Sequence, residues 1–140
     1  MKVGDQLPPL EIPLTRTLIV ATAIASRDYQ DVHHDPGLAV ERGSKDIFMN
    51  ILTSNAMVER FVKEWAGPSV RIRRLKVRLG APNYPGDTMT LTGSVTDVDG
   101  EVVTLDVRGD NSIGTHVSGS VVAELPGLVA TAAASAGGAS

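Results

Sequence analysis

The sequence predicts an α+β protein in which an antiparallel sheet wraps one long, mostly covered helix, and three observations carry that prediction. Residues 50–66 repeat apolar side chains at helical spacing. Residues 70–123 then alternate apolar and polar positions between turn signals. A single chain of 140 residues, 42% hydrophobic, has material for one core of that layered kind.

Taken in order, residues 1–15 mix proline with acidic and aliphatic residues, which predicts an extended lead-in lying against the domain. Leu18-Ile19-Val20-Ala21-Thr22 is apolar and rich in β-branched residues, and reads as a strand or buried turn. Asp35-Pro36-Gly37 ends the segment that follows, and Leu38 to Arg42 makes one or two helical turns closed by Gly43. The long helix places Ile51, Val58, Val62 and Trp65 on one stripe, with Leu52, Ala56 and Phe61 beside it. An arc that wide predicts a helix covered on most sides. Asn50 supplies an N-cap and Gly67-Pro68 a stop.

After residue 68 the pattern becomes that of a four-stranded meander. Val70 and Ile72 are even-numbered, whereas Leu75, Val77 and Leu79 are odd, so a β-bulge is expected near Arg73-Arg74. Met89, Leu91 and Val95 lead to a two-residue hairpin turn at Asp99-Gly100. Val103, Leu105 and Val107 return, Asn111-Ser112-Ile113-Gly114 turns again, and Val117 to Ala123 closes the sheet. The domain is expected to span residues 1–127, with the alanine-, glycine- and serine-rich residues 128–140 a disordered tail.

Composition excludes several function classes. There is no cysteine, hence no disulfide or thiolate metal site, as suits a reducing cytoplasm. The charged start of the chain and its prolines at 8, 9 and 13 predict no signal peptide, and the longest apolar run, Leu18 to Ala25, is too short to span a bilayer. A net charge of −3 argues against general nucleic-acid binding.

Chemistry concentrates in residues 26–35, which hold two of the three histidines and three of the sixteen acidic residues. A carboxylate at Asp28 and an imidazole at His33 converge if the chain folds back within a turn and a bend. They would then hold one water between them, as an acid/base pair for hydration. On these residues alone, the bland reading is a solvated acidic loop with an incidental histidine, since apparent acid/base pairs are often only structural.

Asp28-Tyr29-Gln30-Asp31-Val32-His33 resembles the motif of the MaoC-like, (R)-specific enoyl-CoA hydratases, in which aspartate, any residue, asparagine, proline, an aliphatic residue and histidine follow in order. That family's asparagine and proline are Gln30 and Asp31 here, and the glycine before its aspartate is Arg27. Across about residues 18–125, four stretches, 27–35, 43–48, 50–53 and 65–68, resemble the small subunits of actinobacterial heteromeric steroid side-chain enoyl-CoA hydratases.

The resemblance implies a hot-dog fold, catalytic roles for Asp28 and His33, and an oxyanion-binding backbone N–H at Asn50. It also implies hydration of a bulky, steroidal enoyl-CoA without any cofactor, coenzyme A being part of the substrate. A larger partner with MaoC-like and OB-type domains would complete a heterotetramer, with a homodimer open to the chain alone. Asp28 is assigned to activating water and His33 to sharing it and passing the proton, with the reverse left open. The alternatives carried alongside are a hot-dog thioesterase and a non-catalytic subunit that completes a partner's site.

Arg71, Arg73, Arg74, Lys76 and Arg78 place five cations in eight residues. They form either a charge-protected strand edge or a landing site for coenzyme A phosphates, with Arg71, Arg73, Arg74 and Lys76 the candidates for contact. No metal site is expected, because neighbouring histidines point apart on regular backbone and no third cluster completes a ligand set. His34 is expected to cap Asp31 or Asp35, and His116 to be structural.

Overall fold

A computed structural model describes residues 1–128 of the chain. Strand β1 (Gln6–Pro13) is followed by helices α1 (Arg16–Ala25), α2 (Pro36–Glu41) and α3 (Ile51–Ala66). Strands β2 (Arg71–Leu79), β3 (Thr88–Asp99), β4 (Val102–Asp110) and β5 (Thr115–Glu124) complete the chain. The strands form one antiparallel sheet in the order β1-β3-β4-β5-β2. With α3 packed on its inner face, this is the hot-dog arrangement.

The lead-in proves to be a true edge strand. Residues 6–13 pair with β3 from Gln6↔Ser94 to Pro13↔Thr88, and the register slips between Leu7 and Leu10, where Pro8 and Pro9 have no N–H to offer a ladder.

Residues 18–22 are helical, not a strand or turn. Thr15 caps α1 by accepting from Leu18 N at 3.0 Å, and Ile19 and Ala23, one helical turn apart, are its buried positions. Thr22 Oγ1 donates back to Leu18 O at 2.7 Å, a bond that lets a β-branched threonine sit inside a helix.

Helix α3 begins as expected at Asn50, whose side chain accepts from Thr53 N, and ends at Gly67, whose φ of 92° favours glycine. It is covered on one face only. Met57, Val58, Phe61 and Val62 are buried, whereas Ile51 and Leu52 are 62% and 55% exposed. Gly93 lets α3 sit close to the sheet, since a Cβ there would lie 3.1 Å from the Phe61 ring.

Only β3, β4 and β5 form a meander. Strand β2 crosses to the far edge and pairs with β5, with the expected bulge between Ile72 and Arg74. The β3–β4 loop is Gly100-Glu101, one residue later than expected, because Asp99 still pairs with Val102. The turn at 111–114 is as expected, with Asn111 Oδ1 accepting from Ile113 N and Gly114 N. Leu128, expected to begin the tail, is 7% exposed and packs in the core, while the rest of the expected tail, 129–140, lies outside the described residues. None of the described helices is long and apolar enough to cross a membrane.

Candidate active site

The end of α1 fixes Asp28. Arg27 N donates to Ile24 O at 2.9 Å and Asp28 N to Ala23 O at 2.8 Å, the two bonds of a Schellman cap. Arg27 takes its left-handed position with φ 57°, the only described non-glycine residue with positive φ. The carboxylate therefore leaves the helix on a rigid corner. Its Oδ1 then accepts from Gln30 N at 3.3 Å, and a 3-10 turn over Asp31–His33 brings the imidazole back.

Neighbouring groups lock this loop. His34 does not cap Asp31 or Asp35; its Nε2–H donates to Asp28 O at 2.7 Å, and its ring stacks on Tyr29. Asp35 caps α2 through Leu38 N. Arg42 grips both oxygens of Asp31, and that hydrogen-bonded contact holds the Asp31 carboxyl below the ordinary carboxylate value. Among the described residues, no group of three or more histidine and acidic side chains could hold a metal ion.

Asp28 and His33 do converge, with Oδ2 and Nε2 3.4 Å apart. His33 Nδ1 lies 2.7 Å from Phe48 O, a carbonyl that can only accept, so Nδ1 carries the hydrogen. In the neutral ring Nε2 is then a bare acceptor facing the carboxylate. In that state two acceptors face each other, and a shared proton between them, or a water beside both that gives each a hydrogen, would join them. The Phe48 ring meets the imidazole edge-on at 4.9 Å and fixes its plane.

The pair opens on a cleft of about 470 Å³, also lined by Val32, Phe48, Ile51 and Leu52. Asn50 stands at its back, 1% exposed. Among the described residues no acceptor meets the N–H groups of Asn50, Ile51 or Leu52, at the positive end of the α3 dipole. The Asn50 side chain adds a contact that the sequence did not announce, with Nδ2 donating to Ser26 Oγ at 2.8 Å and to Asp28 Oδ2 at 3.2 Å.

The basic strand lies elsewhere. Arg71, Arg73 and Arg74 follow the carboxyl end of α3, which a helix of 16 residues sets about 24 Å from its amino end. Arg73 is held by Glu124 at 2.6 Å. Lys76 and Arg78 border a shallow pocket with Ser118 and Ser120. None of the five cations lines the Asp28–His33 cleft. His116 is buried, with Nδ1 2.7 Å from Ala81 O and Nε2 2.7 Å from Ser54 Oγ.

Comparison with known proteins agrees with this architecture. The chain is 50% identical over 119 residues to the 3-oxo-4,17-pregnadiene-20-carboxyl-CoA hydratase beta subunit of Mycobacterium tuberculosis, covering 85% of this chain and 92% of that protein. It superposes on a chain of the ChsH1-ChsH2 complex crystal structure from the same organism with a TM-score of 0.87 and 48% identity, covering 89% of this chain and 98% of that one. Its fold is also that of the (R)-hydratase of A. caviae involved in PHA biosynthesis, with a TM-score of 0.82 at 22% identity over 90% of this chain and 98% of that one. The model of the MaoC like domain matches residues 2–115, and this chain belongs to that family.

Proposed function

We propose that this chain is a subunit of an enoyl-CoA hydratase that adds water across the α,β-double bond of a bulky acyl-CoA. One observation carries the reading: an imidazole whose Nδ1–H is committed to Phe48 O turns Nε2 toward a carboxylate 3.4 Å away at the back of an open cleft, an acceptor facing an acceptor in the neutral tautomer. Asp28 and His33 together accept both hydrogens of one water, which leaves an oxygen lone pair free to attack Cβ. As the C–O bond forms, Asp28 takes one proton from the water, and that proton passes through His33 Nε2 to Cα while the other hydrogen stays on the new β-hydroxyl. The charge that gathers on the thioester oxygen in between falls to a free N–H at the start of α3, that of Asn50 in this assignment. The step balances with water and these groups alone, so it calls for no cofactor.

The substrate is proposed to be steroidal, by likeness to the pregnadiene-carboxyl-CoA hydratase subunit. Exposed Ile51 and Leu52 at the cleft would give such an acyl group an apolar wall. The likeness to a chain of the ChsH1-ChsH2 complex supports a heteromer in which a larger subunit completes the site. Residence in the cytoplasm belongs to the same proposal. Coenzyme A phosphates would be bound outside the cleft of this chain, which Arg71, Arg73, Arg74 and Lys76 do not line.

The test is incubation of the complex with its larger subunit and a 2-enoyl-CoA. Loss of the enoyl absorbance with the thioester intact is the expected result. Release of free thiol would instead mean attack at the carbonyl and a thioesterase.

A further inference from the structure

Asn50 is more elaborately bonded than an N-cap requires. Capping uses only Oδ1, which accepts from Thr53 N at 3.3 Å and from Thr53 Oγ1. Serine, threonine or aspartate would cap as well. What asparagine adds is Nδ2, and both of its hydrogens are used, one on Ser26 Oγ and one on Asp28 Oδ2. Ser26 Oγ cannot return the donation, because its own hydrogen goes to Thr22 O at 2.8 Å. A flipped amide would set oxygen against the Asp28 carboxylate and nitrogen against the Thr53 N–H, so the orientation is determined.

The backbone of Asn50 is anchored too. Its carbonyl accepts from Ser54 N at 3.2 Å and lies 3.3 Å from Ser54 Oγ, which is buried against His116. The amide is thus a fixed donor aimed at the carboxylate oxygen that faces His33. Resting on the hydratase reading above, we propose that the Asn50 side-chain amide is a positioning residue, holding Asp28 Oδ2 in place opposite His33.

Two substitutions in the reconstituted complex separate this role from capping. Asn50→Asp keeps the cap and nearly the shape but replaces the donor with a second carboxylate. Asn50→Ser keeps a cap and a hydroxyl while removing the amide. For N50D the expected result is a kcat lowered about 10- to 100-fold with KM little changed. The acid limb of its kcat/KM profile should move upward by about one pH unit, because a like charge beside Asp28 disfavours its ionisation. For N50S, kcat should fall less and the limb should move less. Thermal melts identify which variants are folded.

Folded N50D or N50S with the wild-type kcat and an unmoved acid limb would overturn the proposal. Asp28→Asn in the same assay keeps the two readings apart. If D28N is inactive while the Asn50 variants are unaffected, only the positioning role fails. If D28N retains the full rate, the hydratase site fails and takes this inference with it.

Discussion

Two buried histidines, His33 and His116, are prepared in the same way and end in opposite surroundings. Each is about 5% exposed or less, and each commits Nδ1–H to a backbone carbonyl at 2.7 Å, Phe48 O for one and Ala81 O for the other. Each therefore offers a bare Nε2. His116 turns its Nε2 to the hydroxyl of Ser54 at 2.7 Å, a donor meeting an acceptor, and the bond is complete within the core. His33 turns its Nε2 to the carboxylate of Asp28, an acceptor meeting an acceptor, beside a cleft. Burial and a locked tautomer therefore do not by themselves mark a catalytic histidine. Under the proposed function, the unfinished hydrogen bond beside the cleft does.

The comparison breaks most sharply at the unfinished bond. Asp28→Asn, close to isosteric, should lower kcat by about 10²- to 10⁴-fold in the reconstituted complex while the melting temperature stays near wild type. Steady-state kinetics beside a thermal melt check both halves. A rate within a few-fold of wild type would remove the distinction between the two histidines.

The complementary change is His116→Ala. It strips Ala81 O and Ser54 Oγ of their shared partner inside the core, and should cost about 1–3 kcal/mol in a denaturant titration. Catalysis at working temperature should fall far less than for D28N. Stability lost without rate is the signature of the finished bond.

The same contrast predicts a pH effect. Burial pushes the His116 pKa below its ordinary value of 6.5, the bond to Ala81 O offsetting only part of that. The unfolded chain then takes up the proton before the folded one, so this contribution is complete above about pH 6.5 and is lost as pH falls toward the folded value. The melting temperature should drop between about pH 8 and pH 5 by more in wild type than in His116→Asn. Equal slopes would contradict the assignment.

The smallest expected effect lies at the corner that carries Asp28. Arg27 holds a left-handed φ of 57°, where glycine is unstrained. Arg27→Gly should stabilise the fold by a few tenths to about 1 kcal/mol in the same titration. A destabilised variant would mean that the guanidinium does more for the fold than the backbone strain costs.

Much of this molecule can be read from local sequence. The period of residues 50–66, the Asn50 cap, the alternation of β3 to β5 and the bulge near Arg73 are all near-neighbour patterns, and all appear in the structure. Helix α1 was hidden because β-branched residues speak for a strand, and what decides it is Thr15, three residues upstream, together with the back-bond of Thr22. The pairing of β2 with β5 was invisible for another reason, since strand order is a non-local choice.

The site divides along the same line. The spacing of Asp28 and His33 is a side-chain pattern and was legible. The carbonyl of Phe48 that sets the tautomer is backbone and leaves no mark in the sequence. Asn50 was legible as a cap, but the use of its Nδ2 depends on Ser26 and Asp28, more than twenty residues away. Five basic residues in β2 announced their charge but not that none of them would line the Asp28–His33 cleft.

The central claim, that the Asp28–His33 pair delivers water to carbon, is tested most directly by turnover of a 2-enoyl-CoA in heavy-oxygen water. The reconstituted wild type is run beside the D28N and His33→Ala variants, and the products are resolved by mass spectrometry. The account predicts one heavy oxygen on the β-hydroxyl of an intact acyl-CoA in wild type and almost none in either variant. Label in a free carboxylate, or undiminished β-label in both variants, would contradict it.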